Sequence, residues 1–91
     1  MPGERPTPDP NVHEMEIDGE VTLLHRQTQT ALVLNETAGD VWRLLDGRRT
    51  VSEIVDTLCA AYGTNHDIVR AGVESALRSF DDRGFLTAAP G

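Results

Sequence analysis

The stretch Leu32-Val-Leu-Asn-Glu-Thr-Ala-Gly-Asp-Val-Trp-Arg-Leu-Leu-Asp-Gly47 constrains this chain more than any other. It joins the end of an apolar strand to an amphipathic helix through a single turn. Asn35 is placed to cap that helix, because its side-chain oxygen can accept from the first free backbone N–H groups. Ala38, Val41, Trp42 and Leu45 recur at the spacing of one helical face. Gly47 suits the left-handed residue that closes such a helix. Trp42, the only tryptophan, is expected to fix the helix to the core.

Upstream of this junction the hydrophobic period is close to two. Val12–Ile17 sets Met15 and Ile17 on one face with glutamates between them, and Asp18-Gly19 tolerates the positive φ of a tight hairpin. Val21–Arg26 returns, Gln27-Thr28-Gln29 makes a polar turn, and Thr30–Leu34 forms a third strand. The simplest topology is a three-stranded antiparallel meander with its third strand at an edge.

Downstream the period is helical. Thr50-Val-Ser-Glu53 fits a capping box, in which hydroxyl and carboxylate each accept from the other's backbone. Val51, Ile54, Val55, Leu58 and Tyr62 then mark one face, and Gly63 ends the helix. A third helix is expected from near Asp67 to about Arg83, with Val69, Val73, Ala76, Leu77 and Phe80 as its stripe and Gly84 beyond it. Phe85 and Leu86 turn back onto the core. The order βββααα describes an α+β domain.

Composition bounds what such a domain does. Its 91 residues make one domain near the lower limit for a self-sufficient core. Residues 1–11 hold four of the five prolines and no large apolar side chain after Met1, so a disordered tail is expected there. The folded domain is expected over residues 12–87, with a second tail at 88–91. The net charge of −7 opposes a phosphate-tracking role, so no nucleic-acid partner is expected. One cysteine excludes an internal disulfide. No secretory or membrane segment is read, and a cytoplasmic protein with no membrane partner is expected.

Chemistry is sparse. His13, His25, His66 and Cys59 fall on different elements without metal-ligand spacing, so neither a metal nor another cofactor is expected. Cys59 reads as a small packing residue beside the second helix's stripe. Asp81 and Asp82 are neighbours that do not face each other on a helix. No catalytic set can be assigned.

Binding is better supported. An edge strand offers unpaired N–H and C=O groups that an extended peptide can complete. The third helix carries small residues, Gly72, Ser75 and Ser79, beside its apolar stripe. Gly72 costs roughly 1 kcal/mol against alanine. Close approach by another backbone would account for it, and so would packing of the second helix over it.

From about Val21 to Leu86 the chain resembles the PqqD family, the peptide-binding RiPP recognition elements. The residues that carry this are Leu34-Asn-Glu-Thr-Ala-Gly39, Leu45-Asp-Gly-Arg-Arg-Thr-Val51, Glu53-Ile54 and Arg83-Gly-Phe-Leu86. The resemblance implies a winged-helix-like, non-catalytic domain. Such a domain binds the leader of a ribosomally made precursor peptide and presents it to a modifying enzyme, a radical-SAM enzyme or a leader protease. The family holds the leader as an added strand between third strand and third helix. On this chain the cleft corresponds to Thr30, Ala31, Leu32, Val33 and Leu34, with Ile68, Ala71, Gly72, Ser75 and Ser79 opposite. Two other readings are an accessory subunit that docks on an enzyme without touching peptide, and a winged-helix DNA binder. For the second, Arg70, Arg78 and Arg83 on the last helix face an excess of Asp67, Glu74, Asp81 and Asp82.

Overall fold

The computed structural model of the chain describes residues 5–87. In chain order its elements are β1 (Thr7–Pro8), β2 (Val12–Ile17), β3 (Glu20–His25), β4 (Ala31–Leu34), α1 (Glu36–Leu44), α2 (Val51–Tyr62), α3 (His66–Asp82) and β5 (Leu86–Thr87). β2, β3 and β4 form an antiparallel sheet in that order, and three helices follow, as the pattern of the sequence requires. Asp18 and Gly19 take φ of 52° and 82°, the positive values that let a two-residue turn match the twist of its strands.

One face of the sheet meets the helices. Leu23 of β3 is fully buried, and its neighbours Leu32 and Leu34 on β4 point the same way. Met15 and Ile17 take the opposite face, pairing across β3 with Thr22 and Glu20. The alternation read from the sequence is present, but its apolar row on β2 is the outer one. The inner row there holds Glu14, which lies across from Leu23 and reaches Arg43 of α1 at 3.5 Å. An ion pair with a helix thus completes the inner row at this edge of the sheet.

The helix starts behave as their caps dictate. Asn35 Oδ1 accepts from the Ala38 N–H at 2.8 Å. Thr50 and Glu53 complete the capping box, with the Glu53 N–H donating to Thr50 Oγ1 at 3.1 Å and the Thr50 N–H to Glu53 Oε1 at 3.0 Å. Gly63 closes α2 in the left-handed conformation. Trp42 packs edge-on against Phe80 of α3 at 5.2 Å between ring centroids, and so ties α1 to the core. Val41, Ile54, Val55, Val73, Phe80 and Phe85 are fully buried around it. Cys59 lies half-buried against this cluster.

Two expectations are corrected. Residues 5–11 are folded onto the domain: β1 pairs with β5 in a separate two-stranded sheet, Thr7 opposite Thr87 and Pro8 opposite Leu86. The Asp9 N–H donates to the Phe85 carbonyl at 2.8 Å, and Asp9 lies 3.7 Å from Nε2 of the buried His25. This segment is held by main-chain bonds rather than buried apolar side chains, and its prolines restrict φ before folding. The rest of the tail expected over 1–11, and the whole of the 88–91 tail, lie outside the described residues. The second correction concerns Gly47. α1 ends at Leu44, and Leu45 caps it in extended conformation. Gly47 instead sits at φ 75° in the following loop, where its N–H donates to the Pro6 carbonyl at 3.3 Å. A Cβ there would come within 2.9 Å of Thr7 Oγ1, so glycine admits the N-terminal segment rather than ending the helix.

Candidate functional site

β4 is an edge strand, and the ladder fixes which of its backbone groups are free. The His25 N–H donates to Thr30 C=O at 2.9 Å, and the Arg26 N–H donates to Asn11 C=O at 2.9 Å. Antiparallel pairing alternates from these points. Val21, Leu23 and His25 therefore bond towards β4, whose own inward partners are Leu32 and Leu34. Ala31 and Val33 present their N–H and C=O groups to the open edge.

Beyond that edge runs a groove of about 420 Å³. α3 forms the far wall through Ile68, Gly72, Ser75 and Ser79, while Leu34, Val69, Ala76 and Phe80 supply its buried floor. Asn35, Thr37 and Ala38 around the α1 start, with Tyr62 at the end of α2 and Thr64 beyond it, complete the lining. Ile68, 67 % exposed, offers apolar surface on the α3 wall, while Val33 borders the groove with its edge backbone and carries its side chain on the outer face of the sheet. Among the described residues, no Asp, Glu, Arg or His side chain lines the groove, although the protein carries a net charge of −7.

Gly72 is open to this groove. The nearest atom to an added Cβ is Thr37 Cγ2 at 3.5 Å, an ordinary contact, and no atom of α2 comes within 4 Å. The alternative that α2 packs over Gly72 is thereby excluded. Tyr62 donates its hydroxyl to the Asp40 carboxylate of α1 at the groove's end. Burial first, and then this carboxylate, push the Tyr62 hydroxyl up to about 12.

Of the residues selected from the sequence, Leu32, Val33, Leu34, Ile68, Gly72, Ser75 and Ser79 come together along this groove. Thr30 and Ala71 are not among its lining, and Ala31 contributes edge backbone rather than lining side chain. Asn35, Thr37, Ala38, Tyr62 and Thr64 were not foreseen. Tyr62 was placed on the core stripe of α2, yet a tyrosine beside a terminating glycine could have signalled an exposed helix end.

A sequence profile of the family described as coenzyme PQQ synthesis protein D (PqqD) matches residues 20–86. The chain belongs to the PqqD family. Among its relatives is the PqqA binding protein of Rhodopseudomonas palustris (strain HaA2), 34% identical over 61 residues, a match covering 67% of this chain and 60% of the relative. The PqqA binding protein of Bradyrhizobium diazoefficiens is 33% identical over the same span, covering 67% of this chain and 59% of that protein. The chain thus matches about three-fifths of the length of these relatives. Among solved structures, TbiB1 in complex with the TbiA(beta) leader peptide superposes with a TM-score of 0.78 at 30% identity, covering 93% of this chain and 99% of that one. A lasso peptide synthetase B1 complexed with the leader peptide gives a TM-score of 0.76 at 21% identity, over 92% and 99% of the two chains, a likeness of fold. The PqqD match spans β3 to β5 and so includes both walls of the groove.

Proposed function

We propose that this PqqD-family chain binds the leader segment of a ribosomally made precursor peptide, as a strand added to β4 in the groove against α3. The observation that carries this reading is an uncharged groove, with an apolar floor, beside an unpaired strand edge. Main-chain groups of Ala31 and Val33 supply bonds that any sequence can complete. The groove supplies selection, because alternate side chains of an added strand point into it. Charged side chains find no partner there, so uncharged and apolar leader residues are favoured. Relatives named for binding PqqA, and a similar structure solved with a leader peptide, support the same reading.

In this proposal the chain is a carrier and not an enzyme. Among the described residues its groove offers hydroxyls, one amide and main-chain groups, with no carboxylate, imidazole or thiol to move a proton or attack a carbonyl. Chemistry is left to a modifying enzyme, a radical-SAM enzyme or a leader protease, to which the bound peptide is delivered. No helix of the described residues is long and apolar enough to cross a membrane, which accords with work in the cytoplasm.

The test is calorimetric titration of the purified chain with a synthetic leader from the precursor encoded beside its gene. A dissociation constant on the order of 0.1–10 μM is expected, about 7–10 kcal/mol. Main-chain bonds net only about 1 kcal/mol each, so most of that energy comes from side chains entering the groove. A folded chain that gives no heat, and no competition with a labelled leader, would overturn the proposal.

A further inference from the structure

Of the large apolar side chains exposed among the described residues, Tyr62 and Ile68 line the groove, whereas Met15, Ile17 and Val33 stand on the outer face of the sheet. Met15 and Ile17 are 39 % and 58 % exposed on β2, turned away from every helix. Thr22, Leu24 and Val33 continue that face across β3 and β4. Met15, Ile17 and Val33 thereby expose apolar surface on one sheet face, the kind of surface that marks interaction sites when it is contiguous.

Charge narrows the choice. Glu14, Glu16, Asp18 and Glu20 lie along the same hairpin, and no arginine occurs between Val12 and His25. Glu14 and Glu16 belong to the inner row, where Glu14 is engaged by Arg43, while Asp18 and Glu20 stand at the hairpin tip beside Ile17. Anionic lipid is repelled by such a rim, and a second copy would bring like charges together. An apolar patch bordered by arginine or lysine fits. Position narrows it further: a strand added to β4 extends this same sheet, and its alternate side chains emerge on the outer face. A protein seated there lies within reach of the bound peptide.

We propose that the outer face of the β2–β3–β4 sheet docks the modifying enzyme, through a basic-rimmed apolar patch on that enzyme. This rests on the leader-binding reading above and extends it to a second, separate surface. The test uses the full chain, the synthetic leader and the purified modifying enzyme encoded beside the precursor. Met15→Ser/Ile17→Ser should weaken enzyme binding about tenfold or more. Leader affinity should stay within about twofold and the melting temperature should hold, since neither residue touches groove or core. Glu20→Gln should weaken enzyme binding and flatten its salt dependence. Enzyme binding by the Met15/Ile17 variant at parental strength overturns the proposal, as does a parent chain that does not bind the enzyme. So does sedimentation showing that the face instead holds a second copy. Loss of leader binding in the parent strikes the leader reading alone.

Discussion

Proline substitution at neighbouring positions of β4 separates folding from binding. Val33 points its N–H to the open edge, and its side chain is 56 % exposed, so Val33→Pro removes no bond of the sheet. Its folding cost should stay within about 1 kcal/mol. An added strand, however, loses its donor there, and a leader carbonyl left without a partner costs roughly 1–3 kcal/mol. At 1.4 kcal/mol per decade, affinity should fall about 5- to 150-fold. Leu32→Pro does the opposite. It deletes the N–H that faces Leu23 in the ladder and a side chain packed on the core. An orphaned Leu23 carbonyl alone costs about 1–3 kcal/mol, which for a domain this size lowers the melting temperature by about 5–20 °C. Thermal melting by circular dichroism and leader calorimetry, run on both variants, make the assay. If Val33→Pro binds like the parent, or if the two variants melt alike, β4 is not the docking edge as described.

Further outcomes follow from the groove and the surface carboxylates. Gly72→Leu should leave a folded chain, with helix propensity gaining up to about 1 kcal/mol, while filling the groove and weakening leader binding by roughly tenfold or more; a lower melting temperature with parental affinity would refute this. Tyr62 is the only tyrosine, so tyrosinate absorbance should titrate near 12 rather than 10, and Asp40→Asn should move the midpoint down. Because this pKa is raised on folding, its stabilisation is complete below pH 10 and fades as pH climbs towards 12. Asp9, Asp46 and Glu53 are held below the usual carboxylate range, first by backbone N–H donors from Asn11, Arg49 and Thr50 respectively. Their contribution is present above the unfolded pKa of about 4 and is lost as pH falls through the lower folded values. Melting temperature should therefore drop on acidification below about pH 4, and less so in Asp9→Asn.

Much of this architecture was legible because local chemistry and tertiary packing agree. Asn35, the Thr50–Glu53 box and Gly63 each solve a helix-end problem within a few residues, so their signals survive in the sequence alone. The strand order followed from the Asp18-Gly19 turn and the period of two. The direction of β2 was not legible, because an alternating strand has two faces and only contacts from elsewhere choose the buried one. Arg43, far along the chain, settles it by engaging Glu14. β1 was missed because two residues held by backbone bonds leave no hydrophobic pattern. Along the groove, the stripe through Ile68, Gly72, Ser75 and Ser79 was readable as a period on α3. Asn35 and Tyr62 were hidden by their other roles, as a cap and as a member of an apolar stripe.

The pairing of Thr7 with Thr87 has a topological consequence. Chain enters and leaves this unit on adjacent antiparallel strands, whose Cα atoms lie about 5 Å apart. A unit with such a doorway can be spliced into a surface loop of a host protein at little loop-closure cost, since the host's two strands need not separate. The same doorway permits circular permutation: a short linker from 87 to 7, with new ends opened in the Gln27–Gln29 turn, would leave β4, α3 and the groove between them in place.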